Sequence, residues 1–208
     1  SEIYQAIQGE TSRVGLPCVI VRLSGCNLNC SYCDTPHRDE INREMSPQEI
    51  LDFCMNSGLN MVLITGGEPL LQKETLPLLE LLGKTQMQVL LETNGSVPFP
   101  EIPDEVSIIL DVKCPGSKMS DRMILKNLEN IRKKDEVKFV ISDRNDFDFA
   151  LQIIRDYNLL EKSTVLMSPE FDGMDNSQLA DWILESKLPL RLNFQIHKYI
   201  WGSRTRGR

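Results

Sequence analysis

The stretch PCVIVRLSGCNLNCSYCDT, residues 17–35, joins an apolar run to a loop that carries three cysteines. In the apolar run, side chains alternate between a fully apolar face and a face that includes Arg22, which is the period-two pattern of a β-strand. The cysteines, Cys26, Cys30 and Cys33, follow in a C-x3-C-x2-C spacing. The stretch therefore predicts a strand whose carboxyl end leads into a metal-binding loop.

Strand-like and helix-like runs alternate along the rest of the chain. Further strands are predicted at 60–66, 88–94, 106–113, 136–142, 164–168 and 190–197. Helices are predicted from apolar residues at helical spacing at 46–58, 71–84, 120–134, 146–158 and 175–187. This alternation is typical of parallel βαβ units and predicts an α/β fold. We expect one domain, 1–208, made of an N-terminal segment at 1–16, a core at 17–200 and a basic tail at 201–208.

Polar residues recur on one face of several predicted strands. Since helices normally cover both faces of a parallel sheet, such a polar face needs an explanation. One solution is a curved, partly closed barrel with a polar lumen; the alternative is a flat sheet whose polar residues face water at the strand ends. In the barrel, these side chains would point inward: Arg22, Glu92, Asp111, Lys113, Lys138 and His197. A buried Arg22 needs an anionic partner, either an internal carboxylate or a small anionic ligand.

Composition excludes several classes of protein. The chain has 208 residues and a net charge of −7, which argues against broad binding to nucleic-acid phosphates. No apolar run approaches the length of a membrane span, and the first residues lack the pattern of a signal peptide. We therefore expect a cytoplasmic protein with neither a nucleic-acid nor a membrane partner, and six reduced cysteines rather than disulfides.

The cysteine spacing leaves two metal sites open. Three thiolates can bind three irons of a 4Fe–4S cluster and leave the fourth iron for a non-protein ligand. Structural zinc normally has four protein ligands, and His37 would complete such a set with Cys26, Cys30 and Cys33. The spacing alone does not choose between them.

Two further motifs favour the cluster. The C-x3-C-x2-C motif with Tyr32 before its last cysteine resembles that of the radical S-adenosylmethionine (SAM) superfamily, as do TGGEP at 65–69 and ETNG at 92–95. The resemblance implies a partial (β/α)6 barrel, here with an N-terminal extension. It also implies a 4Fe–4S cluster held by the three cysteines as catalytic residues, with SAM bound at the unique iron.

Three short segments point to one family within that superfamily. IYQAIQGE at 3–10, CSYCDT at 30–35 and QIHKYIWG at 195–202 resemble the 7-carboxy-7-deazaguanine synthases of queuosine and deazapurine biosynthesis. The resemblance implies conversion of 6-carboxy-5,6,7,8-tetrahydropterin to 7-carboxy-7-deazaguanine with loss of ammonia. It further implies Mg²⁺, a flavodoxin- or ferredoxin-type reductant and a homodimer.

The resemblance also implies roles for individual residues. Substrate-binding positions match Ile7, Gln8, Gly9, Glu10, Arg22, Thr65 and His197. SAM-binding positions match Tyr32, Cys33, Asp34, Gly66, Gly67, Glu68, Asn94, Asp111, Lys113 and Ser168. Thr35 matches the Mg²⁺ ligand, although Asp34 and Thr35 are also common helix caps. One departure is Thr11, which stands where the family often has glycine.

Two other functions remain as alternatives. A glycyl-radical-enzyme activase would use the same cysteine loop but gives no reason for the IQGE segment or for a carboxylate-binding Arg22. A zinc-stabilised binding module would use the three cysteines and His37 and would have no catalytic role.

Overall fold

The computed structural model describes residues 2–203 and 205–207, which form one eight-stranded sheet with strands in sequence order. The first strand is antiparallel to the second, and each later strand is parallel to the one before it. The strands are β1 (Glu2–Ile7), β2 (Pro17–Leu23), β3 (Met61–Gly66), β4 (Gln88–Thr93), β5 (Val106–Val112), β6 (Glu136–Ile141), β7 (Thr164–Pro169) and β8 (Arg191–Leu192). The sheet remains open, because β1 and β8 do not pair.

Six α-helices lie in the described part of the chain: α1 (Pro47–Asn56), α2 (Thr75–Gly83), α3 (Arg144–Asp156), α4 (Leu159–Lys162), α5 (Asn176–Ser186) and α6 (Ile196–Trp201). Helix α1 begins as its sequence predicts. Ser46 caps it, Glu49 completes a capping box, and Pro47 occupies the first turn, where no amide donor is needed. The predicted α/β fold of partial-barrel type is confirmed.

The faces of the sheet separate the core from the lumen. Val19, Val21 and Leu23 pack against α1 and α2 on the outer side. The intervening Cys18 and Ile20 belong to a smaller apolar cluster with Leu63, Leu90 and Ile109, which fills one end of the lumen. Strand alternation then brings polar residues inward toward the carboxyl ends of the strands. The prediction of a polar lumen is confirmed, and a flat sheet is excluded.

Two predicted elements are wrong. Residues 120–134 form short 3-10 turns rather than an α-helix. The amide of Asn127 explains this, since it donates to the carbonyls of Gly95 and Val97 and accepts from the amide of Phe99, which holds the segment against a neighbouring loop.

The predicted strand 190–197 is also wrong, since it shortens to Arg191–Leu192. The chain then leaves the sheet, and the Asn193 side chain donates to the Ser168 hydroxyl. The Ile196 amide donates to the Gly9 carbonyl at 2.9 Å, so the last segment lies beside the first. His197 therefore sits at the start of α6 and not on a strand face.

The N-terminal loop after β1 closes the opposite end of the lumen from the cysteines. The Gln8 amide donates to the Leu16 carbonyl, and the Gly15 amide donates back to the Gln8 carbonyl, both at 2.8 Å. Arg13 forms a 2.8 Å ion pair with Glu136 at the start of β6. These contacts fix the residues between them inside the lumen.

No helix in the described ranges is long and apolar enough to cross a membrane. All six cysteines are free thiols, and Cys18, Cys54 and Cys114 are buried, as small apolar residues would be.

Candidate active site

A cavity of about 440 Å³ opens at the carboxyl ends of the strands. This is the usual size for a small-molecule site and the usual place for one in a parallel barrel. Every residue that the sequence marked for substrate, SAM, cluster or Mg²⁺ lines it, except Glu68. Residues from eight separate segments of the chain thus meet in one cavity.

The three cysteine side chains face this cavity from the loop after β2. Donors approach their sulfurs: the Leu28 amide lies 3.5 Å from Cys26 Sγ, and Arg38 Nη1 lies 3.5 Å from Cys33 Sγ. Desolvation raises the pKa of the Cys26 and Cys30 thiols. Donors aimed at half-buried sulfurs suit thiolates that bind iron, so the loop fits a 4Fe–4S cluster.

The loop geometry does not fit the zinc alternative. Within residues 2–203 and 205–207, no three His, Cys, Asp or Glu side chains converge to hold a single metal ion. His37 instead lies beside Glu2, with Nε2 3.9 Å from Oε2. The proposed Cys–His set therefore does not form.

Two glycines at the end of β3 allow close packing beside the cysteine loop. Gly66 has φ of +139°, and a Cβ there would lie 1.9 Å from the Leu23 carbonyl oxygen. A Cβ on Gly67 would lie 2.0 Å from the Gly25 carbonyl oxygen and 2.9 Å from Cys26 Cβ. Only glycine fits at both positions, so at this turn the backbone itself packs against the loop that carries the cysteines.

Glu68 supports the turn rather than lining the cavity. Its carboxylate is fully buried and accepts from the Thr93 hydroxyl at 2.8 Å, the Asn94 amide at 2.7 Å and the Leu70 amide at 2.9 Å. The side chain thereby joins the ends of β3 and β4. It positions Asn94, which does line the cavity.

Asp111 and Lys113 at the end of β5 form a 3.0 Å ion pair in the cavity wall. Burial opposes ionisation of both, but their mutual attraction prevails, so the pKa of Asp111 is lowered and that of Lys113 raised. Among the described residues, Asp111 Oδ1 and the Tyr32 hydroxyl are buried without a hydrogen-bond partner. Buried polar atoms normally have partners, so free ones in a cavity wall fit a polar ligand such as SAM.

Arg22 and Thr35 meet in another part of the wall. Arg22 Nη1 lies 3.3 Å from the Thr35 hydroxyl, and Nη2 lies 3.4 Å from the Tyr4 hydroxyl. Thr35 is buried and donates to Asp34 at 3.1 Å. The next helix in the described chain begins only at Pro47 and is capped by Ser46, so Asp34 and Thr35 do not act as helix caps.

Gly9, near the start of the chain, and His197, near its end, complete this part of the cavity wall. A Cβ on Gly9 would lie only 1.9 Å from His197 Nδ1, so the imidazole packs directly on the glycine backbone. Desolvation lowers the pKa of His197, although Glu10 opposes this shift. His197 is therefore a neutral donor or acceptor at pH 7.

Further cavity residues were not marked as sites by the sequence. Lys138 on β6 contacts Glu10 and Glu92, and the Gln195 amide donates to Glu10 at 2.8 Å. Lys198 pairs with Asp34 at 3.2 Å. Strand alternation already pointed Glu92 and Lys138 inward, but no pattern in the sequence indicated that Gln195 and Lys198 would reach across to the N-terminal half.

Desolvation would raise the pKa of Asp34, but Lys198, Lys138 and Arg22 together hold it well below its usual range. Asp34 is thus ionised at neutral pH, beside the Thr35 hydroxyl. A carboxylate next to a buried hydroxyl is a suitable oxygen-rich environment for a hard cation.

Comparison with known proteins agrees with this geometry. Residues 20–158 match the radical SAM superfamily. A 7-carboxy-7-deazaguanine synthase of Koribacter versatilis is 41% identical over 100% of this chain and 98% of its own length. The chain belongs to the 7-carboxy-7-deazaguanine synthase family.

Other relatives support the same assignment. A synthase of that name from Chlorobaculum tepidum is 37% identical over 100% of this chain and 96% of its own length. The crystal structure of QueE from Escherichia coli shares the fold, with a TM-score of 0.77 at 23% identity over 93% of this chain and 92% of that one.

The protein is therefore a radical SAM enzyme that uses a 4Fe–4S cluster and SAM. The activase and the zinc-binding module are set aside.

Proposed function

We propose that the protein converts 6-carboxy-5,6,7,8-tetrahydropterin to 7-carboxy-7-deazaguanine with loss of ammonia. The names of its full-length relatives support this reaction. The observation that carries it is the paired Arg22 and Thr35 in the cavity wall, because a guanidinium and a buried hydroxyl suit a ligand with a carboxylate.

The cavity residues take complementary parts in holding this substrate. Arg22 binds the carboxylate, while Glu10 and Gln8 face the ring from the N-terminal loop. The Gln8 Nε2 atom is buried without a partner among the described residues, so it is free to donate to a ligand. Neutral His197 and the Thr65 hydroxyl complete the polar wall. Ile7 and Gly9 contribute backbone and an apolar surface.

When bound, the cluster and SAM would supply the radical chemistry that starts the reaction by removal of a hydrogen atom from the substrate. We assign cluster ligation to Cys26, Cys30 and Cys33. SAM would contact Tyr32, Cys33, Asp34, Gly66, Gly67, Asn94, Asp111, Lys113 and Ser168, with Glu68 supporting them. The remaining task of the chain is to hold both molecules in one cavity that excludes competing reactions with water.

Thr35 is the proposed Mg²⁺ ligand. Mg²⁺ keeps several waters and takes few protein ligands, so a hydroxyl together with a substrate carboxylate suits it. The ionised Asp34, 3.1 Å from the Thr35 hydroxyl, adds negative charge on the same side.

We further propose a homodimer in the cytoplasm, in which 1–16 binds substrate, 17–200 forms the barrel and 201–208 is a basic tail. A flavodoxin- or ferredoxin-type protein would reduce the cluster. Exposed Lys118 and Arg122 support docking of a reductant through an acidic surface, because their segment contacts the cysteine loop through a Ser31 hydrogen bond to the Gly116 carbonyl at 2.7 Å.

Anaerobic reconstitution followed by a product assay tests the function. The enzyme should hold about four irons per chain and form the deazaguanine from the carboxypterin with SAM, Mg²⁺ and dithionite. Omission of Mg²⁺ should lower the rate. A fully loaded enzyme that makes no deazaguanine would refute the proposal.

The Arg22→Ala variant tests the role of the guanidinium. Loss of a charged hydrogen bond to the carboxylate should weaken carboxypterin binding by about 10- to 100-fold. Cluster content and SAM cleavage without substrate should persist, because Arg22 contacts neither the cysteines nor the Asp111–Lys113 pair. The exposed Arg155→Ala variant is the control for loss of one positive charge. Unchanged carboxypterin affinity in Arg22→Ala would refute the assignment.

A further inference from the structure

Lys138 lies at the centre of the cavity wall and is only 4% exposed. Its Nζ atom lies 2.5 Å from Glu92 Oε1, 2.9 Å from Glu10 Oε2 and 3.2 Å from Asp111 Oδ2. An ammonium group has three N–H donors; Lys138 donates hydrogen bonds to Glu10 and Glu92, and Asp111 lies at ion-pair distance on the remaining side. Lys138 therefore has no donor left for a ligand and acts through the carboxylates around it.

The three carboxylates differ in how much they depend on Lys138. Asp111 also pairs with Lys113 at 3.0 Å, so it keeps a cation if Lys138 is removed. Within residues 2–203 and 205–207, Glu10 and Glu92 have no other cation within 4 Å. Their remaining donors are neutral: the Gln195 amide for Glu10 at 2.8 Å and the Thr65 hydroxyl for Glu92 at 3.0 Å.

Removal of Lys138 would therefore affect mainly the side of the cavity that contains Glu10 and Glu92. Glu10 and Glu92 come from the N-terminal loop and from β4, and the ammonium of Lys138 contacts both of them. Without it, two partly buried carboxylates would repel each other and any anionic ligand that enters. The Asp111–Lys113 pair would remain neutral overall.

We propose that Lys138 is a positioning residue that holds the carboxylates of Glu10 and Glu92 in place in the wall that receives the substrate, without touching the substrate itself. The proposal rests on the proposed carboxypterin reaction. A pterin ring presents amide and amino N–H groups, and carboxylates held in place are strong acceptors for them. The same ammonium offsets two negative charges that would otherwise oppose the substrate carboxylate.

Anaerobic calorimetry on the cluster-loaded enzyme tests this assignment. In Lys138→Met, the dissociation constant of 6-carboxy-5,6,7,8-tetrahydropterin should rise at least about tenfold, whereas that of SAM should stay within about twofold. Lys138→Arg should recover part of the carboxypterin affinity, because it restores the charge with a different shape. A purely structural role would weaken both ligands together and lower the unfolding temperature in proportion.

Controls separate the possible failures. Lys126→Met removes an exposed lysine and should match the wild type. If Lys138→Met does not fold, Lys138→Gln keeps two N–H donors without the charge and should show the same selective loss. A folded neutral variant that binds the carboxypterin as the wild type does would overturn the assignment. If instead the wild type itself neither binds nor converts the carboxypterin, the proposed function fails.

Discussion

The cavity has two halves that are built in different ways. The cofactor half consists of the cysteine loop, the Gly66–Gly67 turn, Asn94 and the Asp111–Lys113 pair, which lie at or just after the carboxyl ends of strands. The substrate half consists of Gln8–Glu10, Arg22, Thr35 and Gln195–Lys198. In the cofactor half, backbone turns at neighbouring strand ends set the geometry.

In the substrate half, side chains from opposite ends of the chain set the geometry. Gln195 donates to Glu10, although the two are 185 residues apart. Lys138 connects the halves, since its ammonium contacts Glu10 as well as Asp111. A substitution in the cofactor half should therefore disturb folding and cluster binding together. A substitution in the substrate half should mainly change the affinity for the carboxypterin.

The largest effect is expected for Gly66→Ala in the cofactor half. The new Cβ would meet the Leu23 backbone at 1.9 Å, in a backbone conformation that L-residues rarely adopt. We expect a loss of about 3–5 kcal/mol in the free energy of unfolding and little bound iron. Thermal unfolding and iron analysis measure the two effects.

Gly58→Ala is the matched control for this change. Gly58 also has positive φ, +70°, but nothing lies within 4 Å of its Cβ position. It should lose only about 1–2 kcal/mol, which is the cost of the left-handed conformation, and should bind iron normally. If both variants behave alike, backbone contact at Gly66 does not shape the cluster loop.

Gly9→Ala should give a smaller and more selective effect in the substrate half. Its Cβ would displace the His197 ring, which can move because it is a side chain. We expect the KM for the carboxypterin to rise about 10- to 100-fold, with SAM cleavage in the absence of substrate unchanged. Steady-state kinetics with each ligand varied in turn measures this.

A double-mutant cycle identifies the cause of the Gly9→Ala effect. In a His197→Ala background, the added methyl group has space, so Gly9→Ala should cost much less than it does alone. Equal costs in both backgrounds would mean that the methyl group acts on something other than the imidazole.

How much the sequence could predict also differs from feature to feature. The cysteine loop could be predicted from its spacing after a strand, as in the run from Leu23 to Cys33, whereas the other site residues of both halves were matched through the family resemblance. Strand alternation also predicts that Glu92, Asp111 and Lys138 face the lumen, and their positions are confirmed. Period and spacing are local properties, so one sequence is enough to show them.

The remaining features depend on long-range contacts that no local pattern records. His197 lines the cavity as expected, but from the first turn of α6, because the chain leaves the sheet after Leu192 to lie against Gly9. The helix predicted at 120–134 fails for a similar reason, since the Asn127 amide binds a loop 30 residues away. The carboxylates that Lys138 contacts could likewise not be predicted from the sequence.

The smallest effect is expected at Thr11, which follows the segment that carries Gln8 and Glu10. Thr11 has φ of +67°, a conformation that is strained for a β-branched residue, and its hydroxyl accepts from the Arg13 amide at 3.1 Å. Thr11→Gly relieves strain of about 1–2 kcal/mol but loses that hydrogen bond and adds entropy to the unfolded chain. The net change in the free energy of unfolding should therefore be below about 1 kcal/mol.

Thr11→Ala is the informative comparison, because it loses the hydroxyl and keeps most of the strain. It should be less stable than Thr11→Gly, which reverses the usual order of alanine and glycine. Thermal unfolding of both variants under the same conditions gives the order directly. If alanine proves the more stable, the left-handed backbone at Thr11 does not constrain the loop that carries Gln8 and Glu10, and the substrate half is held by its side-chain contacts alone.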